Sequence, residues 1–524
     1  MEHIDFLEAP GGAAGTAVPR TVIGHALKNA PGQVRKLVVT SLYRHHGVAL
    51  LVLSLLSGCA HVPHLSERAQ MKQADTYRSA ASFSAPASEW PANGWWQRYG
   101  DAQLDGLIDE ALRDSPTLAV AQARLAQAEG MRQIAGAARK PQITAGGGVM
   151  EGKLSNDFLT PKAFQPQGAN DYSVASLDLA WELDFWGKNR AALAAATSEQ
   201  RATEVEVDQA RLMLSTSVAL SYAELAHLYA RRDTAQGAVQ VRSRTAELMH
   251  QRNSQELENL ASVREAEAKQ AAAQAELQSV DERIALQKNA IAALLGAGPD
   301  RGRAVARPSA HMTGVFGLPS NLAMDLIGRR PDIVAARLRA EAAAHRIDQR
   351  TAEFYPSISL IGSAGFLSYG LDNLPKAASS FGGIGPAISL PIFNTERLQG
   401  QLRGAHAEYN AAVASYNGTL VNALHEVADV VASRQALDGQ LVSLQNSVDS
   451  MQQAYRMVDS RYRGGLSTYL DVLTAEDALL GARRELADAQ SRSLSLDVAL
   501  VQSLGGGFSE APSLAQAQTQ THTP

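Results

Sequence analysis

Apolar and small residues recur every three to four positions over most of the chain, and two stretches with this helical period are unusually long. Residues 188–252 and 395–463 contain no proline. At 1.5 Å per residue, a helix of about 65 residues extends to about 100 Å. Each stretch is followed by a second predicted long helix, at about 259–296 and about 467–504. The pattern therefore predicts two pairs of long helices.

The second helix of each pair carries a heptad pattern. The a and d positions in the first half are Val263, Ala266, Gln270, Ala273, Leu277, Val280, Ile284, Gln287, Ile291 and Leu294. Eight of these ten are apolar, and so are eight of the ten at the matching positions of the second half. Apolar a and d positions sustained over several heptads predict knobs-into-holes packing against another helix.

The two halves of the chain repeat one plan. Prolines stand at positions 116 and 141 and again, with the same spacing, at 331 and 356. Glu267 and Gly296 match Glu476 and Gly505 at the single offset of 209. Self-similarity of this kind predicts a tandem duplication. We expect each copy to contain two helices, two strands and two long helices.

Four short segments alternate between apolar and small or polar residues. They are predicted as strands at about 142–151, 171–183, 357–369 and 381–392. In the second, Leu177 and Leu179 alternate with Ser176 and Asp178. A period of two with one apolar face fits a strand between lipid and water, although a half-buried strand of a soluble protein fits it too. The polar connections within each strand pair favour the membrane.

Four strands are too few to enclose a pore. A transmembrane barrel needs about eight strands, and open strand edges are not tolerated in lipid. We therefore expect several copies to share one barrel. Three copies would give a trimeric, 12-stranded β-barrel continued by a ring of 12 long helices, and the predicted fold class is an α+β membrane protein.

The N-terminal region has the features of a lipoprotein signal. An apolar run at 48–56 follows basic residues and leads into Leu56-Ser57-Gly58-Cys59, which resembles a bacterial lipobox. The run is too short for a transmembrane helix and suits a signal peptide. Cys59, the only cysteine of the chain, is the predicted lipid attachment site. The alternative is a buried thiol that happens to follow small residues.

These features divide the chain into six predicted segments. They are a signal peptide with an N-terminal extension from a start codon placed too far upstream (1–58), a lipid-anchored segment (59–90), the first repeat (91–300), a linker (301–317), the second repeat (318–506) and a disordered tail (507–524).

Composition and charge exclude several classes of function. A net charge of −5 provides no basic surface for nucleic acid, and one cysteine cannot form a thiolate metal cage. The 13 histidines show no metal-binding spacing, so we expect no enzyme activity, no metal and no cofactor beyond the covalent lipid. Arg329 to Asp332 could form a basic site, but the sequence Arg-Arg-Pro-Asp favours a helix boundary with its charges in solvent.

Three motifs together indicate a family. They are Trp-Trp-Gln-Arg-Tyr-Gly-Asp at 95–101, Leu-Pro at 318–319 and Arg-Arg-Pro-Asp at 329–332. With the duplication and the lipobox, they make residues 59–506 resemble outer membrane efflux lipoproteins of the NodT and OprM type, relatives of TolC. The resemblance implies a homotrimeric channel in the outer membrane of a Gram-negative bacterium. It also implies a periplasmic adaptor protein and an inner membrane pump as partners.

The function that the resemblance implies is a passive exit duct for small molecules or drugs. Two alternatives stay open. The same architecture serves as the outer membrane channel of type I protein secretion, and a lipid-anchored coiled-coil scaffold without a pore would also show the heptads.

The turn between the last two long helices contains the candidate gate. Asp471 follows Thr468 by three positions, which predicts a helix cap. The same carboxylate also suits a second role, since threefold symmetry would place three copies of Asp471 around the axis at the closed periplasmic end. The first repeat has Ser262 at the matching position.

Further roles at this turn are implied by the resemblance. Tyr462 and Arg463 resemble positions whose hydrogen bonds and ion pairs latch the aperture, although an ordinary solvated helix end is the alternative. Three residues of the turn resemble the tip that docks on the adaptor: Gly465, Leu466 and Ser467. Residues 253–259 would form the matching turn of the first repeat.

Overall fold

The computed structural model describes residues 62–63, 65–79, 81–153, 168–309 and 317–510. Cys59, the predicted signal peptide and residues 511–524 of the predicted tail lie outside this part of the chain. The first repeat contains α1 (Ala102–Asp114), α2 (Pro116–Ala137), β1 (Gln142–Gly152), β2 (Asn170–Leu183), α3 (Lys188–Ser254) and α4 (Leu260–Leu294). A short helix, α5 (Pro299–Arg303), follows it.

The second repeat has the same order of elements. It contains α6 (Leu322–Arg329), α7 (Pro331–Ala352), β3 (Ser357–Tyr369), β4 (Ser380–Ser389), α8 (Thr395–Arg463) and α9 (Tyr469–Ser503). The tandem duplication of helix, helix, strand, strand, long helix and long helix is therefore confirmed. Among the helices described, every one is too short or too polar to serve as a membrane span.

The four strands form one antiparallel sheet in the order β1-β2-β3-β4. Leu177 lies opposite Ala145 on one side and Ala364 on the other, and directly opposite residues share a face of the sheet. The register gathers one set of apolar side chains on the face of Leu177: Ile143, Leu179, Trp181, Leu360, Ile384 and Ile388. The opposite face carries most of the polar side chains, among them Thr144, Ser176, Asp178, Glu182 and Ser363, together with Val174, Ile361, Leu367 and Phe381.

Strand β4 ends at Ser389, short of the end expected at 392. Pro391 explains the difference, because a proline has no N–H to donate to the ladder. Within the described sheet, β1 and β4 each pair on one side only. Two strand edges are thus open in a single chain.

Helix α3 is the centre of the helical part, where it packs against α2, α4, α7 and α9. The heptad seam forms the buried face of α4, with Val263, Ile284 and Ile291 at 2%, 7% and 0% exposure. A large apolar cluster joins α1, α3, α4 and α9 around Trp95 and Tyr222. The long helices are therefore held by their seams and by this cluster.

The charges at the start of α7 differ from the sequence prediction. Pro331 occupies the first turn of α7 as expected, but Arg330 is 6% exposed, so the prediction that its charge faces solvent was wrong. Its guanidinium donates to Asp332 and Glu426, at 2.6 Å each, and to the carbonyl of Ser503. Helices α8 and α9 bring the last two of these acceptors from distant parts of the sequence.

Candidate gate at the helix tips

Each pair of long helices ends in the same turn. The N–H of Leu257 donates to the carbonyl of Arg252 at 2.9 Å, and in the second repeat the equivalent N–H of Leu466 donates to the carbonyl of Arg461 at 2.8 Å. The residue before each leucine is left-handed, with φ of 61° at Glu256 and 74° at Gly465. The duplication therefore extends to the backbone of the two tips.

The two tips of one chain pack against each other. A buried apolar cluster takes four residues from the first repeat (Ala246, Met249, Val263, Ala266) and four from the second (Tyr462, Tyr469, Val472, Leu473). Burial raises the pKa of Tyr469 to about 12. This contact joins the ends of two helix pairs that belong to different repeats.

Tyr462 provides the polar contact between the tips. Its side chain is buried, and its hydroxyl donates to Oε1 of Glu258 at 3.0 Å. The guanidinium carbon of Arg252 lies 4.8 Å from the centre of the tyrosine ring, and its Nε is 3.9 Å from the same carboxylate oxygen. Burial raises the pKa of Tyr462, and the carboxylate of Glu258 raises it further, so the hydroxyl stays protonated as the donor.

Sequence reasoning named Tyr462 but missed its partners. Glu258 and Arg252 lie in or beside the turn that was matched at 253–259. The signal that could have found them is the carboxylate of Glu258 in the first turn, since a tyrosine in the matching turn needs a hydrogen-bond acceptor. Arg463, the other predicted latch residue, is not part of this contact, since its exposed Nε pairs with Asp459 of its own helix at 3.1 Å.

Asp471 forms the helix cap that its spacing predicts. One oxygen, Oδ2, accepts from the N–H of Thr468 at 2.9 Å, from the Thr468 hydroxyl at 2.7 Å and from the Ser467 hydroxyl at 2.9 Å. Thr468 Oγ1 in turn accepts from the Asp471 N–H, which completes a capping box. These hydrogen bonds, with those to Thr468 first, lower the pKa of Asp471. The carboxyl therefore carries its charge in the exposed first turn of α9.

The outer surface of the tips exposes two leucines. Leu257 is 59% exposed and Leu466 is 72% exposed, at equivalent positions of the two turns. Gly465 and Ser467 flank Leu466 in the chain. In the part of the chain that the structure describes, no group of three or more His, Cys, Asp or Glu side chains is placed to hold a metal ion. The tip thus offers apolar and hydrogen-bonding contacts.

Comparison with known proteins gives one consistent result. Residues 107–297 and 322–506 match the family model described as outer membrane efflux protein, one segment in each repeat. The chain is 29% identical over 466 residues to the multidrug resistance outer membrane protein MdtP of Shigella flexneri, covering 88% of this chain and 95% of that protein. It is 27% identical to the cation efflux system protein CusC of Escherichia coli O157:H7, covering 87% and 97%.

A solved structure extends the similarity to the fold. The outer membrane protein VceC of Vibrio cholerae superposes with a TM-score of 0.76 and 49% identity, over 80% of this chain and all of that chain.

Proposed function

The chain belongs to the outer membrane efflux protein family, and from this premise we propose that it is the outer membrane channel of a three-part efflux system. Members of the family are channel proteins. The chain serves as a passive exit duct, without chemistry of its own, for small molecules that a periplasmic adaptor and an inner membrane pump deliver. The observation that carries the proposal is a sheet with one predominantly apolar face and two open edges, continued by two pairs of long helices.

Export from the cell and conduction across a membrane can both be tested directly. Deleting the gene from its host should increase accumulation of the exported compounds, and the wild-type gene should restore export. Purified protein should conduct ions across planar bilayers. A host that loses only secreted proteins would indicate type I secretion, and a protein that never conducts would be a scaffold.

The duct is a trimer. Open strand edges in lipid leave backbone N–H and C=O groups without partners, so β1 of one copy should pair with β4 of the next. Light scattering in detergent should give the mass of three chains. A folded, stable monomer would contradict the shared barrel.

The mature chain is anchored through lipid on Cys59. Several acyl chains hold a protein on a membrane far more firmly than one, so triacylation would fix the chain from its first residue. Cys59→Ser should leave a longer, unprocessed precursor that palmitate no longer labels. Palmitate labelling of that variant would contradict the lipobox.

The periplasmic gate lies at the tips, where Tyr462 closes the latch and three copies of Asp471 form an acidic ring. The hydrogen bond from Tyr462 to Glu258 supports the latch, because it ties the second tip to the first. Arg463, the other predicted latch residue, contributes its ion pair with Asp459 within α8 and, in the described part of the chain, no contact with the first tip. Tyr462→Phe removes only the hydroxyl and should raise the conductance of the closed channel.

The two roles of Asp471, in the acidic ring and in the helix cap, can be tested separately. Asp471→Ala should reduce selectivity for cations, since an acidic ring attracts them. Thr468→Ala is the control, because it removes the cap hydroxyl and leaves the charge. Equal loss of thermal stability in both variants, with unchanged ion selectivity in Asp471→Ala, would leave Asp471 as a cap alone.

The adaptor docks on Gly465, Leu466 and Ser467. The exposure of Leu466 supports this role, because an apolar side chain in solvent gains free energy when a partner covers it. Leu466→Asp should abolish export in cells while the purified channel still conducts. Retained export would exclude Leu466 from the docking surface.

A further inference from the structure

A cluster of four charges, of which Arg242 and Glu476 are buried, joins the two repeats above the tips. Arg242 of α3 and Glu476 of α9 are 4% and 1% exposed, with Nε of the arginine 3.0 Å from Oε1 of the glutamate. The same guanidinium also contacts Asp477, and Lys269 of α4 is 3.2 Å from that second carboxylate. Two cations of the first repeat thus meet two carboxylates of the second.

The cluster lies across the boundary that the latch also crosses. Glu476 follows the cap residue Thr468 by eight positions, which places it about 12 Å along α9 from the tip. A rigid movement of α8 and α9 away from α3 and α4 would separate Tyr462 from Glu258. The same movement would separate Arg242 from Glu476.

The cluster compensates the buried negative charge of Glu476 only in part. Among the described residues, neither oxygen of the Glu476 carboxylate has a partner in hydrogen-bond geometry. Nη1 of Arg242 also lacks such a partner there. The groups that face Glu476 are Arg242 from α3, Lys269 from α4, Tyr455 and Asp459 from α8, and Tyr469 and Asp477 from α9.

Burial and the neighbouring cations shift the pKa of Glu476 in opposite directions, and burial has the larger effect. Burial raises the pKa of Glu476 above its ordinary value, and Arg242 opposes this shift without cancelling it. A carboxyl whose pKa is raised in one arrangement binds its proton more tightly there, so acid stabilises that arrangement and rising pH weakens it. Protonation of Glu476 therefore favours the packed helices, while Arg242 keeps Asp477 as its partner.

We infer that Arg242, Glu476 and Asp477 form a second clasp of the gate, which holds α9 against α3 in the closed channel and becomes tighter when Glu476 takes up a proton. The inference rests on the proposed gate at the tips. Arg242 and Glu476 are positioning residues, since they act on the aperture through the helices that carry it.

The test is the open fraction of the full-length trimer in planar bilayers between about pH 8 and about pH 5, a range above the usual glutamate pKa. The open fraction of the wild type should fall as the pH is lowered. Glu476→Gln mimics the protonated side chain, so it should stay closed at every pH. A loss of the pH dependence in this variant identifies Glu476 as the titrating group.

Arg242→Gln should have the opposite effect. It leaves a buried carboxylate without its cation, which is strongly unfavourable, and the open fraction at about pH 8 should rise about tenfold or more. Acid should close this variant again. The double variant with Glu476→Gln should return to the low open fraction, because it removes the unpaired charge.

The repeat provides a matched control. Glu267 of α4 is the counterpart of Glu476 at the offset of 209, but its side chain is 34% exposed and pairs with Arg264 and His250, both of the first repeat. Glu267→Gln makes the same chemical change without touching the boundary between the repeats. Its pH profile should match the wild type.

Three results would overturn the clasp. One is a rise in open fraction for Glu476→Gln equal to that for Arg242→Gln, which would make the pair a simple salt bridge with no role for the proton. Another is a lower melting temperature of the Arg242→Gln and Glu476→Gln trimers with unchanged conductance in both. The third is an inert Arg242→Gln beside an effective Tyr462→Phe, which leaves the gate proposal intact. If both variants are inert, the tip gate fails as well.

Discussion

At the scale of single residues, the two repeats share a backbone and differ in chemistry. Positions 253 and 462 are equivalent at the offset of 209, yet one holds Asn253 and the other holds Tyr462, the hydrogen-bond donor to Glu258. Ser262 likewise corresponds to the charged cap residue Asp471. The first repeat supplies the acceptor, Glu258, and the second supplies the donor. The hydrogen bond between the tips exists because the copies have diverged there.

One divergence predicts a gain in stability. Glu256 has φ of 61°, where its counterpart is Gly465. A left-handed conformation costs an ordinary L-residue about 1–2 kcal/mol. Replacing that residue with glycine recovers only part of this cost, because glycine loses more backbone entropy when the chain folds. Glu256→Gly should therefore raise the free energy of unfolding by about 0.5–1 kcal/mol, measured as a higher melting temperature.

The reciprocal change is the control. Gly465→Glu places a side chain in the same left-handed geometry and should lower the melting temperature. If the two variants shift in the same direction, backbone strain does not explain the difference between the turns.

At the scale of elements, the last helix of each repeat has a different number of buried faces. In α9 the heptad positions Val472 and Leu479 are buried, but so are Leu473, Glu476 and Leu480 beside them. The second stripe is buried because α9 packs against both α8 and α3. Helix α9 therefore connects the two repeats, and its second face carries Glu476, the partner of Arg242.

The seam of α4 can be tested with two neighbouring residues. Ile284 is 7% exposed at an a position, whereas Leu286 is 60% exposed on the same helix. Ile284→Ala leaves a cavity in the packed seam and should cost about 2–4 kcal/mol of unfolding free energy. Leu286→Ala should change it by no more than about 0.5 kcal/mol. Thermal unfolding followed by circular dichroism compares them, and equal shifts would contradict the seam.

At the scale of the whole molecule, the sheet, the helices and the first described residues share one junction. Val62 and Leu65 pack against the cluster of Phe354 and Leu398, where the strands give way to helices. Cys59 precedes Val62 by three positions, a span of at most about 10 Å. A lipid on Cys59 would therefore enter the membrane near the end of the barrel from which the long helices extend.

The two faces of the sheet predict opposite tolerance to charge. Leu177 lies on the apolar face, and Ala180 lies on the other face of the same strand. An arginine on the lipid face costs about 2–4 kcal/mol at the middle of the bilayer, while a face turned to water accepts it. Leu177→Arg should reduce the yield of assembled trimer in outer membrane fractions, and Ala180→Arg should not. The opposite ranking would exchange the two faces.

The sequence by itself determined the duplication, the four strands and the heptad seams, because each depends on a regular spacing that can be counted along the chain. It also named Tyr462, through a resemblance, and the capping pair of Thr468 with Asp471, through their spacing. The tertiary structure alone decided the partners of buried charges. Glu258 meets Tyr462 across 204 residues, Arg330 meets Glu426 across 96, and Arg242 meets Asp477 across 235. No local period encodes such pairs, since the free energy of a charge depends on which distant helix covers it and which opposite charge that helix brings.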